Sequence, residues 1–379
     1  MTVSGTCRPA FEPLRDLLAR NLADGTDTGA SVAVVHDGEL VADLWGGTTA
    51  SGEPWAEDSL VMTWSVSKTM AALTALVLVD RGVLDLDAPV SSSWTDFRRD
   101  DVLVRHLLSH TSGYAGWTAP CDWSTLLDLE ASERLLAEQE PWFEPGSEAG
   151  YTMICYGHLV DGLVRAATGE TLSDLFRTLV AEPLGADFHL GVPESALDRC
   201  VDLVPPTGSG VDFSALPADC LYLPTVTNPL LDVPGGACDT PEFRRANVAG
   251  IGGHGNARSI AQAQSVVSHG GEVNGVRLLS EATVDRIFEV QADGPDRVLF
   301  GVPLRWGIGY QLPGPSAPAI PDGRVAWWTG WGGSIVVNDV DRRTTVAYAM
   351  NQMVGSHLVR SDRTDDYVRT AFDCLEALS

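Results

Sequence analysis

The sequence predicts an α/β + α protein in which one antiparallel sheet, formed from both chain ends and flanked by helices, is interrupted by an inserted helical domain. Three observations carry this. An Asp37-Gly38 turn separates two β-rich runs in SVAVVHDGELVADLWGG, the strongest short-range hairpin signal. Helical periodicity dominates the middle of the chain. Strand-like runs return only late, and a helical pattern closes the sequence. The boundaries this implies are 1–88 with 270–379 for the sheet domain and 89–269 for the helical one.

In order, Phe11, Leu14, Leu17, Leu18 and Leu22 fall at helical spacing over 9–23, and Gly25 supplies a stop. The hairpin follows. A helix over 65–81 ends at Gly82, and further helical patterns occupy 124–138, 154–168 and 171–181. Over 202–257 proline and glycine remove the periodicity for a stretch too long to be a plain connector, so this segment is expected to wall or cover a site. Helices over 258–268 and 281–289 lead to strands at 304–312, 325–329, 333–339 and 343–350, with a turn at 339–343 and a last helix over 364–378. No internal repeat is present.

With 379 residues, 44% of them hydrophobic, the chain can bury a large core. A formal charge of −26 repels phosphate backbones, and no cationic run exceeds two residues, which excludes nucleic acid as a partner. The first residues carry neither a basic leader nor an apolar stretch, and the apolar run near 70–79 is half the length of a membrane span. A cytoplasmic protein with no membrane partner is expected. The seven cysteines are odd in number, scattered and free of CxxC spacing, so reduced, mostly buried thiols and no metal site are expected. A bridge among Cys200, Cys220 and Cys238 stays open.

One compositional fact carries chemistry. Of 25 basic residues, Lys68 is the only lysine and the other 24 are arginine. Arginine does not give up its proton in proteins, whereas a desolvated lysine amine does so near neutral pH. Ser65 stands three residues earlier, one turn away on the same helix face and at the helix mouth, where backbone N–H groups favour an oxyanion. The plainer alternative for Ser65 is an N-cap. Ser67 points to another face and is the weaker candidate.

On the SVSKTMAALTALVLVDRGVLDLDAPV run, the VRHLLSHTSGY segment at 104–114, EPGSEAGYTMICYGHLVDGLVRAATG at 144–169 and the AWWTGWGGS strand, the chain resembles the superfamily of class C β-lactamases, penicillin-binding proteins and family VIII carboxylesterases, the last most closely. The resemblance implies that SxxK carries the nucleophile Ser65 and its activating amine Lys68. Tyr151 matches the tyrosine of the YxN element and would act as a phenolate, with Tyr156 a core residue. Trp328-Thr329-Gly330 matches the KTG or HxG element, so the Trp331 and Ser65 amides would form an oxyanion hole and Gly332 and Gly333 would admit substrate to the strand. Met153 replaces the family's asparagine and Trp328 its cation. With no second lysine to grip a carboxylate, an apolar aromatic wall suits a neutral ester or acyl group better than a β-lactam or D-alanyl peptide. His254 is either a hydrogen-bonded turn residue or one that reaches the cleft, Asn351 is a site-rim candidate, and His106 and His110 read as structural. The expected activity is cofactor-free ester hydrolysis through an acyl-enzyme on a small molecule. Acyl transfer to an acceptor at the same site and a catalytically silent binding relative remain open, and oligomeric state is not readable.

Overall fold

The computed structural model describes residues 2–206, 220–355, 359 and 361–378. A six-stranded antiparallel sheet runs in the order Val3–Cys7, Glu39–Gly47, Gly29–His36, Thr344–Met350, Ile335–Asp339, Val325–Thr329. Three strands come from each end of the chain, and the hairpin turns at Asp37-Gly38 with both residues at positive φ. The central strands are buried on both faces, which explains their continuous apolar runs in place of alternation. The N-terminal helix Glu12–Asp24 packs with the C-terminal helix Asp362–Glu376 against the sheet, and the helix Ala257–Ser268 covers the strands Gly29–His36, Thr344–Met350 and Ile335–Asp339.

The helix Ser67–Asp80 is buried along almost its whole length, from Ser67 to Leu78, because it is apolar on every side. It packs between Ala257–Ser268 and the inserted helices, of which Tyr156–Thr168 is the longest. A second, four-stranded sheet of fragments, ordered His189–Leu190, Gly253–Gly255, Leu60–Met62, Cys200–Val201, delivers the chain to that helix. Gly253 O accepts from the Thr63 amide at 2.8 Å, which extends this pairing to the doorstep of Ser65.

Several expected elements differ in detail. The pattern over 124–138 is two helices, Trp123–Leu127 and Leu129–Glu138, because Asp128 leaves helical geometry and its carboxylate caps the second by accepting from the Ala131 amide. The pattern over 171–181 begins as Leu172–Phe176 and widens into a π-helical turn at Arg177–Ala181. The strand expected over 304–312 is confined to Pro303–Trp306, paired with Ala292–Pro295, and then bends so that Gln311 bridges Trp327. Of the 202–257 segment, 207–219 lie outside the described residues; the remainder holds short helices at Tyr222–Thr227 and Pro241–Arg245. All seven cysteines are free, so Cys200, Cys220 and Cys238 form no bridge. No helix among the described residues is long and apolar enough to cross a membrane.

Candidate active site

Ser65 lies in a 3-10 turn, Trp64–Val66, and the α-helix proper starts at Ser67, two residues later than the sequence pattern suggests. Trp64 enters this turn at φ 50°, a left-handed conformation that costs a bulky side chain about 1–2 kcal/mol. Packing holds it there. Its ring meets Trp331 edge-on at 4.9 Å, and its carbonyl accepts from Ser67 Oγ, which in turn accepts from the Gly253 amide at 2.8 Å. Ser67 is therefore part of the frame, and Ser65 is the hydroxyl that stays 8% exposed.

Lys68 is 1% exposed, with Nζ 3.1 Å from Ser65 Oγ and 2.8 Å from the carbonyl oxygens of both Met153 and Gly250. No carboxylate is among these neighbours. Burial pushes the amine down to about 7, against a weak opposing influence of the Cys155 thiol. A neutral amine has two N–H bonds and one lone pair. With both N–H groups directed at the two carbonyls, the lone pair is left for the Ser65 hydroxyl proton.

Tyr151 occupies the turn before the helix Tyr156–Thr168. Its hydroxyl accepts from Trp328 Nε1 at 3.0 Å, and its ring centroid is 5.0 Å from Lys68 Nζ. The ring stacks on Trp306 and lies beside His110 and Trp328. The backbone on either side is fixed: the Tyr151 amide donates to Asp296 Oδ1 at 3.1 Å, and the Thr152 amide donates to His110 Nδ1 at 3.1 Å. Burial pushes the phenol upward, with hydrogen bonding to Ser65 and Trp328 only partly offsetting it, so Tyr151 stays neutral through the physiological range. Burial, reinforced by the nearby Lys68 charge, drives His110 well below the usual imidazole range. As a neutral ring accepting at Nδ1, it carries its proton on Nε2. Tyr156, whose hydroxyl donates to Leu108 O at 3.3 Å, is a core residue.

The third wall is the edge strand Val325–Thr329 and the turn that follows. A Cβ at Gly330 would stand 2.2 Å from Thr63 O, so only glycine lets this strand end abut the residues before Ser65. Trp331 is 38% exposed, whereas Thr329 faces inward and donates to Ser334 O at 2.9 Å. Gly332 and Gly333 correct the sequence reading. Their φ angles of +94° and +124° are demanded by the turn, and Cβ atoms there would strike Met353 and the Arg363 guanidinium, so their smallness serves internal packing against the end of the sheet and the C-terminal helix.

Asn351 is corrected as well. It is fully buried, its Oδ1 accepts from the Gly29 amide at 2.9 Å, and its Nδ2 donates to Thr48 O at 3.1 Å, so its side chain ties the sheet and does not rim the site. His254 is not among the groups gathered at Ser65. It is buried in the fragmentary sheet opposite Met62 and His189, its Nδ1 lies 2.9 Å from Gly252 O, and burial lowers it to about 3. Met153 contributes its backbone carbonyl to Lys68. Sequence reasoning missed Gly250, Asp296 and the contact of His110 with the Tyr151 turn. Each acts through a backbone bond or across more than forty residues of chain, and leaves no local pattern.

The fold, the SxxK turn and its partners define a known class. A model of the Beta-lactamase family matches residues 14–369, and the chain belongs to that family. It is 31% identical over 389 aligned positions to the esterase/beta-lactamase LipL of Mycobacterium tuberculosis, covering 95% of this chain and 85% of that one. Over 179 positions it is 34% identical to esterase EstB of Burkholderia gladioli, 41% of this chain and 45% of the relative. Among solved structures, a family VIII carboxylesterase is 33% identical with a TM-score of 0.90, covering 99% of this chain and 100% of that one. A penicillin-binding protein homologue from Caulobacter crescentus is 30% identical with a TM-score of 0.89, with the same coverage.

Proposed function

We propose that this protein is a serine esterase acting through an acyl-enzyme on small neutral esters. The observation that carries the reading is the buried Lys68 amine, held by two carbonyls and turned toward Ser65 Oγ at 3.1 Å. Ser65 Oγ attacks the ester carbonyl carbon as its proton passes to Lys68 Nζ. The carbonyl oxygen becomes an oxyanion facing the amides of Ser65 and Trp331. Collapse breaks the bond to the leaving alkoxide, which takes the proton from Lys68 by way of the Tyr151 hydroxyl. Water then attacks the acyl carbon, Lys68 accepts its proton, and Ser65 Oγ leaves with a proton restored.

The sequence-based role for Tyr151 as a phenolate is replaced here: an upward-shifted phenol is a poor base, and Lys68, lowered to about 7, is the better one. Substrate preference follows from the walls. Trp328 joins Trp306 and Tyr151 in one aromatic group, and Trp64 and Trp331 form another beside Ser65. Trp331, the exposed member of these groups, offers an apolar face beside Ser65, and the buried rings behind it keep the surroundings apolar, which favours apolar acyl or alcohol groups. The relatives named esterases support ester hydrolysis as the reaction.

The test is intact-mass analysis after incubation with a fluorophosphonate, alongside turnover of p-nitrophenyl butyrate. One adduct is expected on the natural protein and none on Ser65→Ala. A natural protein that stays unmodified and turns over no ester refutes the proposal.

A further inference from the structure

We infer that Arg363 is a positioning residue for the oxyanion-accepting turn, an inference that rests on the acyl-enzyme reading above. In that reading the Trp331 amide must keep its direction while negative charge develops, because a donor that has to reorient gives little stabilisation. The turn is closed by two backbone bonds of its own, Gly333 N–H to Gly330 O at 3.0 Å and Gly330 N–H to Ser334 O at 2.7 Å, but the two glycines after Trp331 are both at positive φ with no side chains to lock them. The clamp comes from the C-terminal helix. Arg363 Nη2 donates to Gly332 O at 2.6 Å, and Thr364 Oγ1 donates to Gly333 O at 2.8 Å. The Val354 amide adds a third bond, to Gly332 O at 3.1 Å.

The other end of the guanidinium is anchored as firmly. Arg363 is 6% exposed, and its Nη1 donates to Thr26 O at 3.0 Å and lies 3.2 Å from Asp27 Oδ1. Asp27, 1% exposed, also accepts from the hydroxyls of Tyr348 and Tyr367, the latter at 2.7 Å. A buried ion pair of this kind adds little to stability over an apolar replacement. Its geometric effect is larger. One planar fork joins the loop that leads into the strand Gly29–His36, at Thr26 and Asp27, to the Gly332 carbonyl, and Asp27 is bonded to Tyr348 of the strand Thr344–Met350, so the turn is referenced to the sheet through a rigid group. A lysine ammonium, a point charge on a flexible stem, cannot make both connections with fixed angles.

The experiment compares Arg363→Lys and Thr364→Val with the natural protein on p-nitrophenyl butyrate and its thionoester counterpart. Sulfur accepts hydrogen bonds more weakly than oxygen, so the ratio of kcat on the two substrates reports donor alignment and is independent of how much protein is folded. Both variants are expected to lose kcat on the carbonyl ester, by roughly ten- to hundredfold, with KM within about twofold, and the preference for the carbonyl ester is expected to shrink by a similar factor. Equal losses on both substrates, or unchanged turnover, overturn the inference. If Arg363→Lys does not fold, Thr364→Val, which exchanges one hydroxyl for a methyl group, decides between these outcomes. Fluorophosphonate labelling of the natural protein runs in parallel: an absent Ser65 adduct refutes the acyl-enzyme reading itself, whereas a labelled protein with an unchanged ratio in the variants refutes the role of Arg363 alone.

Discussion

Replacing Lys68 by methionine separates the energetic consequence of burying an amine from its chemistry. Lowering the amine from 10.5 to about 7 corresponds to about 5 kcal/mol of destabilisation when both folded and unfolded chains are protonated, at ~1.36 kcal/mol per pH unit. Between those two values the unfolded lysine holds its proton and the folded one has released it, so stability rises with pH across that window. Integrated from pH 7 to pH 9, the natural protein should gain about 2 kcal/mol relative to Lys68→Met. The methionine variant leaves the Met153 and Gly250 carbonyls without a donor, which costs about 1–3 kcal/mol at every pH and cancels from this difference. Urea unfolding of both proteins at pH 7 and pH 9 measures it. Parallel stability–pH curves would mean that the amine keeps its ordinary affinity for protons, and the assignment of Lys68 as base would fall with it.

Other consequences can be checked alongside. Lys68→Arg should lower acylation by about a hundredfold or more in stopped-flow burst measurements although charge is retained, since a guanidinium does not accept the proton. The kcat/KM of the natural enzyme should fall as pH drops through about 7, because a protonated Lys68 cannot act as base; an acid limb centred near pH 5 would assign the base elsewhere. Glu133 and Asp161 are buried side by side, and burial, then a hydrogen bond to Asp161 and the repulsion of its charge, raises the affinity of the glutamate for a proton. Its contribution is present at acid pH and lost on the alkaline side, so Glu133→Gln, which mimics the protonated form, should gain stability over the natural protein as urea unfolding is taken from pH 5 to pH 9. Asn351→Leu should destabilise by about 2–4 kcal/mol through two lost buried hydrogen bonds, with KM unchanged to within about twofold on p-nitrophenyl butyrate.

What the sequence reveals and what it hides divide along physical lines. The hairpin at Asp37-Gly38, the helix Ala257–Ser268 and the late strands are long periodic patterns that bury one or both faces, so their residues carry the signal themselves. Ser65 and Lys68 are legible because their spacing is local and because lysine is used once. The edge strand Val3–Cys7 carries no such signal: it is five residues long with Gly5 at its centre and is defined by pairing with Glu39–Gly47. The strands of the second sheet have two or three residues each and no pattern of their own. Asp296 binds three amides, those of Tyr151, Val298 and Leu299, and the first of these comes from a turn far away in the chain. Asn351 looks like a site-rim residue in the linear sequence because it follows the last strand, and Gly332 because it follows Trp331; only the packing shows that Asn351 ties the sheet and that the space a Cβ would need at Gly332 is taken by Met353.

Confining the single ε-amine to the interior has a practical corollary for handling the molecule. Aldehyde supports and activated-ester dyes react with ε-amines, and here the only lysine is Lys68, so such reagents meet no lysine side chain without entering the protein interior. Coupling through carboxylates, of which the sequence supplies 51 on its side chains, is the route that leaves Lys68 untouched.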